Sequence, residues 1–380
     1  MGKKVISIVT LIVRTLLGAV CVFSGFVKAI DPLGTNYKIE DYLNAFGGIF
    51  AEFTWIALAG SILLSMFEFC LGWSLLLNLR PRLMSWLSFV MMLFMTPLTL
   101  YIALENPVSD CGCFGDALVI DNWTTFYKNV VLLAMSLWLV CTCKRVRPWF
   151  MPWAEWCGIG LFAGVSVMLS FICLRHLPFM DFRPYKVGTD IEASMEIPEG
   201  APSDEYMITF VYEKDGVKQE FTLDNYPKDD STWVFVDQRT EFISKGYVPP
   251  IHDFSITTSD FEDITYDVLD YQGYTLLYVM YDLEKANKKF TETLNELYER
   301  AQESGWQVYA LTGSEASVVE SFVGETGAGY PICGTDPITL KTIVRANPGV
   351  VLIKDGVIVD KWNARDINVE RVLKNIITNY

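Results

Sequence analysis

Histidine is nearly missing from this 380-residue sequence, which contains 2 histidines. Neither His176 nor His252 sits in a metal-ligand spacing, so the sequence gives no support for a haem or zinc site. The glycine patterns of Walker and Rossmann nucleotide sites and the Gly-x-Ser-x-Gly elbow of serine hydrolases are missing as well. Metal, nucleotide and serine-hydrolase chemistry therefore have no sequence signature here.

Basic residues are scarce in the second part of the chain. Residues 176–380 contain 18 Lys and Arg against 35 Asp and Glu, whereas residues 1–175 contain 12 against 10. An acidic half repels phosphates, so nucleic-acid binding is not expected. A nearly neutral, apolar front and an acidic, polar back predict a membrane domain followed by a soluble one.

Long apolar runs dominate the front part. A bilayer is crossed by about 20 residues of helix. The sequence has five runs of that length, roughly at residues 5–30, 52–79, 83–104, 124–143 and 150–174. We therefore predict five membrane spans.

Basic residues cluster before the first span and between alternate spans, as Lys3 and Lys4, Arg80 and Arg82, and Lys144, Arg145 and Arg147. All three clusters fall on one side, which the positive-inside rule makes the cytoplasm. The soluble part then lies outside. The first run could instead be a cleaved signal, but its length and the central Arg14 favour a retained anchor.

Two cysteines stand close together in the loop between the third and fourth spans. Cys111 and Cys113 flank one glycine and are predicted to face the outside, where thiols are usually oxidised. A disulfide between them would close a small, strained ring of the kind that exchanges electrons readily. The alternatives are a plain staple, which would gain little loop entropy, or two unpaired thiols.

Charged residues also occur inside the spans. Arg14 and Glu68 lie near the middle of the first and second spans, at similar depths if each apolar run is centred in the bilayer. Ionisable residues in such positions are rare and are usually functional or paired. We predict an Arg14–Glu68 ion pair, either structural or catalytic.

The soluble part has two patterns. Residues 185–246 are β-rich, with a predicted hairpin at Asp215-Gly216. From residue 249, strands and helices alternate and end in a hairpin and a helix, which predicts a parallel core with an antiparallel edge.

The front part resembles the DoxX-like membrane proteins and their relative MauE, the methylamine-utilisation protein. The resemblance rests on "VRTLLGAVCVFSGFVKAIDP" and on "DCGCFGD" before a helix, and it covers residues 5–143. It implies disulfide formation or quinone-linked thiol oxidation, with Cys111 and Cys113 as the redox pair. Arg14, Lys28 and Glu68 are then the residues that assist at the cofactor site.

Residues 249–380 resemble the thioredoxin fold in its TlpA and peroxiredoxin branch. "ANPGVVLIKDG" is similar to the cis-proline hairpin of that branch, which makes Pro348 the expected cis residue. The Cys-x-x-Cys of the family is replaced in "DLEKAN" by Glu284 and Asn287. Cys333 should lie near the same sheet edge, either as a third redox thiol that relays to the Cys111 loop or as a buried, inert residue.

Together these features predict a membrane α-helical bundle of four DoxX/MauE-like spans plus a fifth, then a β-rich segment and an α/β thioredoxin-like domain. The expected boundaries are 1–148, 149–175, 176–248 and 249–380. MauE and its thioredoxin-like partner MauD act together as separate proteins, so their fusion implies a thiol-disulfide redox protein of the bacterial inner membrane. Its N-terminus would be cytoplasmic and its C-terminal domain periplasmic. Its partners would be lipid and extracytoplasmic protein thiols or a membrane complex, with quinone as the cofactor that the resemblance implies. The alternative is a non-catalytic, membrane-anchored scaffold that binds partner proteins.

Overall fold

The structure, a computed structural model, describes residues 2–108, 110–223, 225–228, 230, 232–244 and 246–377. The front part of the chain is helical. Proline occupies the first position of α2, α4 and α6, where its missing N–H costs nothing. The helices are α1 (Gly2–Ile30), α2 (Pro32–Phe46), α3 (Ala57–Leu76), α4 (Pro81–Glu105), α5 (Asn122–Thr142) and α6 (Pro152–Arg175).

The five predicted spans are confirmed. Among the described residues, five helical stretches are long and apolar enough to cross a membrane: Lys4–Ile30, Glu52–Leu76, Pro81–Glu105, Asn122–Arg145 and Pro152–Arg175. The amphipathic helix α2, between the first two spans, was not predicted. It begins at an Asp31 cap whose carboxylate accepts the Gly34 N–H at 2.9 Å.

Glycines set the register between α1 and α3. A Cβ on Gly25 would lie 2.4 Å from the Phe69 backbone nitrogen, and one on Gly72 would lie 2.4 Å from the Val22 nitrogen. Such contacts are possible only between backbones that nearly touch, as small residues allow in membrane helix pairs. The two helices therefore cross at Gly25 and Gly72 in a fixed antiparallel register.

The first sheet of the soluble part has the order β2-β1-β3 within the described residues, and both pairings are antiparallel. Asp215 and Gly216 both have positive φ, as a two-residue hairpin turn requires, so the predicted hairpin is confirmed. The elements that precede and form this sheet are α7 (Ile191–Met195), β1 (Glu205–Lys214), β2 (Val217–Thr222) and β3 (Val234–Ser244).

The second sheet has the order β6-β5-β4-β7-β8 in the described part of the chain. The β4, β5 and β6 strands are parallel, while β7 and β8 run antiparallel at the edge. This is the thioredoxin-like arrangement predicted from the sequence, and the Asn347-Pro348 bond is cis. The elements are α8 (Thr265–Leu269), β4 (Tyr274–Val279), α9 (Thr291–Glu303), β5 (Gln307–Thr312), α10 (Ala316–Thr326), β6 (Ile332–Gly334), α11 (Pro337–Ile343), β7 (Gly349–Lys354), β8 (Val357–Asn363) and α12 (Val369–Ile377).

The segment after the last span is attached to this second sheet. Asp181 accepts hydrogen bonds from Arg183 and Lys361, and Lys361 also donates to the Tyr185 carbonyl at 2.7 Å. Tyr185 and Ile191 are 2% exposed and belong to the hydrophobic core of the thioredoxin-like domain. Residues 181–191 therefore pack with that domain rather than with the three-stranded sheet.

Candidate functional site

Cys111 and Cys113 lie in the loop that joins α4 to α5. Their Sγ atoms are 3.0 Å apart. Gly112 between them has φ of +64°, a conformation that costs a side-chain-bearing residue strain. This left-handed residue belongs to the tight loop in which the two thiols are in contact.

Three side chains from the bundle hold the loop backbone. The Tyr42 hydroxyl donates to the Cys111 carbonyl at 2.6 Å. The Cys113 carbonyl accepts from Lys28 Nζ at 2.7 Å and from Ser24 Oγ at 2.6 Å. The thiol pair is thus fixed against α1 and α2 on both sides of the glycine.

Lys28 forms a buried ion pair with Glu68. Lys28 Nζ lies 2.7 Å from Glu68 Oε2, and the two side chains are 5% and 7% exposed. The same Glu68 oxygen is 2.7 Å from Ser24 Oγ. Two of the residues predicted to assist the cysteines, Lys28 and Glu68, are therefore brought to the cysteine loop.

The predicted Arg14–Glu68 ion pair is wrong, because Glu68 pairs with Lys28. The prediction placed each apolar run at the centre of the bilayer, whereas the Gly25–Phe69 contact sets the actual register. At about 1.5 Å per residue, Arg14 lies roughly 16 Å from Gly25 toward the N-terminus of α1, and therefore away from Glu68. Arg14 instead places its guanidinium over the Trp149 ring, 4.8 Å from its centroid.

The surroundings of the pair favour a thiolate at Cys113. The hydrogen bond from the Cys111 thiol, together with the Lys128 and Lys28 cations, lowers the pKa of Cys113 to about 6 although burial opposes the shift. The same hydrogen bond, together with burial, raises the pKa of Cys111. A thiolate and a thiol in contact form the reduced state of a dithiol–disulfide couple.

An apolar cavity of about 210 Å³ extends from the cysteines into the bundle. Its polar lining residues, among them Lys28, Glu68, Lys128 and Asn129, lie among apolar side chains. The apolar lining comprises Val20, Ile39, Leu64, Met91, Met92, Met95, Leu98, Phe114 and Leu132.

The thioredoxin-like domain contacts the cysteine loop through one arginine. Arg345, which lies between α11 and the cis-proline, has Nε 3.0 Å from an Asp31 oxygen and Nη2 2.9 Å from an Asp116 oxygen. The Arg345 side chain is 6% exposed. Next to it the hydroxyls of Tyr37 and Tyr281 lie 3.4 Å apart. The sheet edge that carries Pro348 therefore faces the loop of Cys111 and Cys113.

Cys333 lies away from this contact, inside the domain. It is 4% exposed and belongs to the core cluster that includes Leu311 and Leu340. Burial raises the pKa of its thiol. The segment where the family has Cys-x-x-Cys does lie against the cis-proline hairpin, since the Asn287 N–H donates to the Asn347 carbonyl at 3.1 Å.

Sequence reasoning missed four contributors to the site: Ser24, Tyr42, Lys128 and Arg345. The signal for Tyr42 was the spacing of Lys38 and Tyr42 in "NYKIEDYL", which puts both on one face of a helix. Lys38 Nζ lies 2.5 Å from Asp110, directly before the cysteines. Arg345 carried no local signal, because its partner Asp31 is 314 residues away.

Comparisons with known proteins agree with these two parts. Residues 6–142 match the family described as methylamine utilisation protein MauE, and residues 206–245 match a domain of unknown function, DUF8463. No curated protein matches the chain.

Solved structures resemble a third of the chain. The thioredoxin domain of a Bacteroides vulgatus thiol-disulfide oxidoreductase is 12% identical and covers 33% of this chain and 93% of its own, with a TM-score of 0.28. StoA from Bacillus subtilis is 18% identical and covers 32% of this chain and 93% of its own, with a TM-score of 0.26. A thioredoxin-like protein from Aeropyrum pernix is 15% identical and covers 34% of this chain and 89% of its own, with a TM-score of 0.27. The membrane bundle thus matches the MauE family, and the soluble domain has, by its own strand order, a thioredoxin-like sheet.

Proposed function

We propose that this protein is a membrane-bound thiol-disulfide oxidoreductase whose redox pair is Cys111 and Cys113. One observation carries the proposal. Two thiols lie 3.0 Å apart at one end of an apolar cavity in a membrane bundle, and the neighbouring thiol and two lysines lower the pKa of Cys113. A staple or two inert thiols would need neither the cavity nor the cations beside Cys113.

The direction of exchange follows from the two thiols. When the pair is a disulfide, a substrate thiolate attacks Cys111 and expels Cys113, since the thiol of lower pKa leaves faster. The second substrate thiol then attacks the mixed disulfide and releases Cys111. Two electrons and two protons pass from the substrate dithiol to the pair, and the substrate leaves as a disulfide.

A quinone fits the cavity as the acceptor that reoxidises the pair. The lining is apolar except near the cysteines, where Lys28 and Lys128 provide cations and Ser24 a hydroxyl. A bound quinone would supply a two-electron, two-proton acceptor next to Cys113. Lys128 would hold a ring oxygen that becomes negative on reduction, with the Lys28–Glu68 pair beside it, and the apolar lining would hold the ring away from water.

The proposed sidedness places the N-terminus in the cytoplasm of a bacterium and the cysteine loop with the soluble domain in the periplasm. It rests on the basic residues at the start of α1 and in the α3–α4 and α5–α6 connections, which alternate helices bring to one end. A reporter enzyme that is active only in the periplasm should be inactive when fused after Asn78. Activity there would contradict this orientation.

A second candidate is the non-catalytic scaffold, in which the soluble domain only binds a partner. The buried Cys333 and the missing Cys-x-x-Cys favour it for that domain. A cleft of about 230 Å³, lined by Asn287, Arg345 and Pro348 among others, offers a place for a bound peptide. Both roles fit one protein if the domain presents a partner dithiol to the bundle, and its partners would then be extracytoplasmic protein thiols.

Turnover in purified protein tests the redox proposal. Protein in lipid nanodiscs is supplied with a dithiol peptide and a soluble quinone, and quinone reduction is followed by absorbance. Cys111→Ser and Cys113→Ser should each abolish turnover. Cys141→Ser is the matched control, because Cys141 is an exposed thiol near the far end of α5.

The outcomes separate the candidates. Equal turnover in all three variants would overturn the assignment of the redox pair. If the wild-type protein binds the peptide but shows no thiol oxidation with any acceptor, the scaffold function is correct. Thiol oxidation with another acceptor but not with quinone would leave the pair in place and remove the quinone.

A further inference from the structure

A second cavity lies at the opposite end of the bundle from the cysteines. It is open, has a volume of about 1060 Å³, and lies between α1 and the connection from α5 to α6. Its charged lining residues are Arg14, Arg145 and Arg147, and no acidic side chain is among its described lining residues. The cavity is therefore positively charged, and none of its own residues neutralises it.

Arg14 is the buried member of this group. Its side chain is 6% exposed, and its Nε has no hydrogen-bond partner among the described residues. A buried cation without a carboxylate is costly in a membrane bundle and usually marks a binding site or a missing partner. Asn78 is 1% exposed, and its Oδ1 is likewise without a partner there, although its Nδ2 donates to the Arg147 carbonyl at 2.6 Å.

The Arg14 guanidinium points toward the end of the bundle where the basic connections lie. Helical side chains point toward the helix N-terminus, so Arg14 extends from mid-helix toward the start of α1. Its Cζ lies 4.8 Å from the ring centroid of Trp149, which belongs to the connection between two spans. Connections between spans, and the Trp residues in them, lie close to lipid headgroups.

The rim of the cavity carries exposed apolar side chains beside the exposed Arg145 and Arg147. Ile8 and Leu11 on α1 are 57% and 50% exposed, and Trp149 is 60% exposed. Ile8 and Leu11 belong to a membrane span, so their exposed surfaces face lipid, and Trp149 lies at the end of the bundle beside them. A ligand with both an anionic group and acyl chains matches a cationic cavity with such a rim.

We propose that this cavity binds the phosphate of an anionic phospholipid, with Arg14 as its main donor and Arg145 and Arg147 at the rim. A free phosphate ion shares the recognised group, but the apolar rim favours the lipid. Charge-assisted hydrogen bonds to phosphate would satisfy the donor that the protein leaves unpaired. The site is independent of the cysteine pair and does not rest on the proposed redox function.

Native mass spectrometry of the full-length protein in detergent tests the proposal. Phosphatidylglycerol and diacylglycerol with the same acyl chains are titrated separately, so that the phosphate is the main difference. We expect phosphatidylglycerol alone to be retained. Loss of one charged donor, in Arg14→Gln, should weaken its binding roughly ten- to hundred-fold, and Arg14→Lys should retain part of it.

Arg82→Gln is the matched control, because Arg82 is an exposed cation at the same end that does not line the cavity. Arg147→Gln is a second cavity variant for the case that Arg14→Gln does not fold. Unchanged lipid retention in the folded Arg14 variant, or in Arg147→Gln if that variant must replace it, overturns the proposal. So does equal retention of diacylglycerol by the wild type. Stabilisation by inorganic phosphate but not by phosphatidylglycerol would overturn the lipid as the source of the phosphate.

Discussion

Replacing Lys28 by methionine should destabilise the bundle by several kcal/mol. Lys28 Nζ has three partners: Glu68 Oε2 at 2.7 Å, Ser24 Oγ at 2.6 Å and the Cys113 carbonyl at 2.7 Å. Methionine keeps the unbranched apolar stem and removes only the cation. Glu68 then remains 7% exposed without its counter-charge.

The expected cost comes from the unpaired carboxylate. Removing one partner of a buried ion pair typically costs about 3–5 kcal/mol, most of which is the penalty on the charge left behind. The double variant Lys28→Met, Glu68→Met removes both charges, so its cost should fall well below the sum of the two single costs. A coupling energy of about 2 kcal/mol or more is expected.

The free energy of unfolding is measured by denaturant titration in mixed micelles for the wild type, the two single variants and the double variant. Arg82→Met serves as the control, since substitution of an exposed side chain usually changes stability by within about 0.5 kcal/mol. A cost for Lys28→Met as small as that of the control would refute the buried pair. Additive costs in the double variant would show that Lys28 and Glu68 do not interact.

Four further predictions concern the loop and its contacts. The rate of Cys113 alkylation should rise with pH through a midpoint near 6, because the thiolate is the reactive form and its pKa is about 6. Lys128→Met should move that midpoint upward, because it removes a cation that favours the thiolate. Gly112→Ala should slow disulfide closure about tenfold, because a left-handed conformation costs alanine about 1–2 kcal/mol. Arg345→Met should increase amide hydrogen exchange in α2, because the salt bridge to Asp31 at its start is lost.

Each of these outcomes has a result that contradicts it. An unchanged midpoint in Lys128→Met would show that this cation does not favour the Cys113 thiolate. A midpoint near the ordinary cysteine pKa of about 8.5 would show that the pKa of Cys113 is not lowered. Wild-type closure rates in Gly112→Ala, followed by mass spectrometry after addition of an oxidant, would show that the loop needs no left-handed residue. Unchanged exchange in α2 for Arg345→Met would mean that other contacts alone hold the soluble domain.

The spans and the strand order of the thioredoxin-like sheet followed from local patterns. An apolar run of about 20 residues has few alternatives to a membrane helix. Alternating strands and helices, ending in a hairpin, leave few sheet topologies. The cysteine pair was equally visible, because its two thiols are two residues apart in the chain.

The partners of the charged residues could not be read in the same way. Apolar runs define a span to within a few residues, but the pairing of Glu68 with Lys28 rather than Arg14 depends on how α1 slides along α3. That register is set by close backbone contacts at Gly25 and Gly72, which no pattern of charge or hydropathy reports. Helix α2 was missed because it is shorter and more polar than a membrane span, so the search for long apolar runs passed over it.

The soluble domain is held at two points rather than one. His176, at the end of the last span, has Nδ1 2.6 Å from an Asp366 oxygen of the domain, and Arg345 ties the cis-proline edge to the cysteine loop. A thioredoxin-like domain on a single flexible tether can act as a shuttle that carries electrons between distant partners. Two such contacts restrict that movement and keep the domain docked on the bundle, over the cysteine loop. If the proposed thiol-disulfide exchange takes place, the substrate therefore has to reach Cys111 and Cys113 while the domain stays docked over the loop.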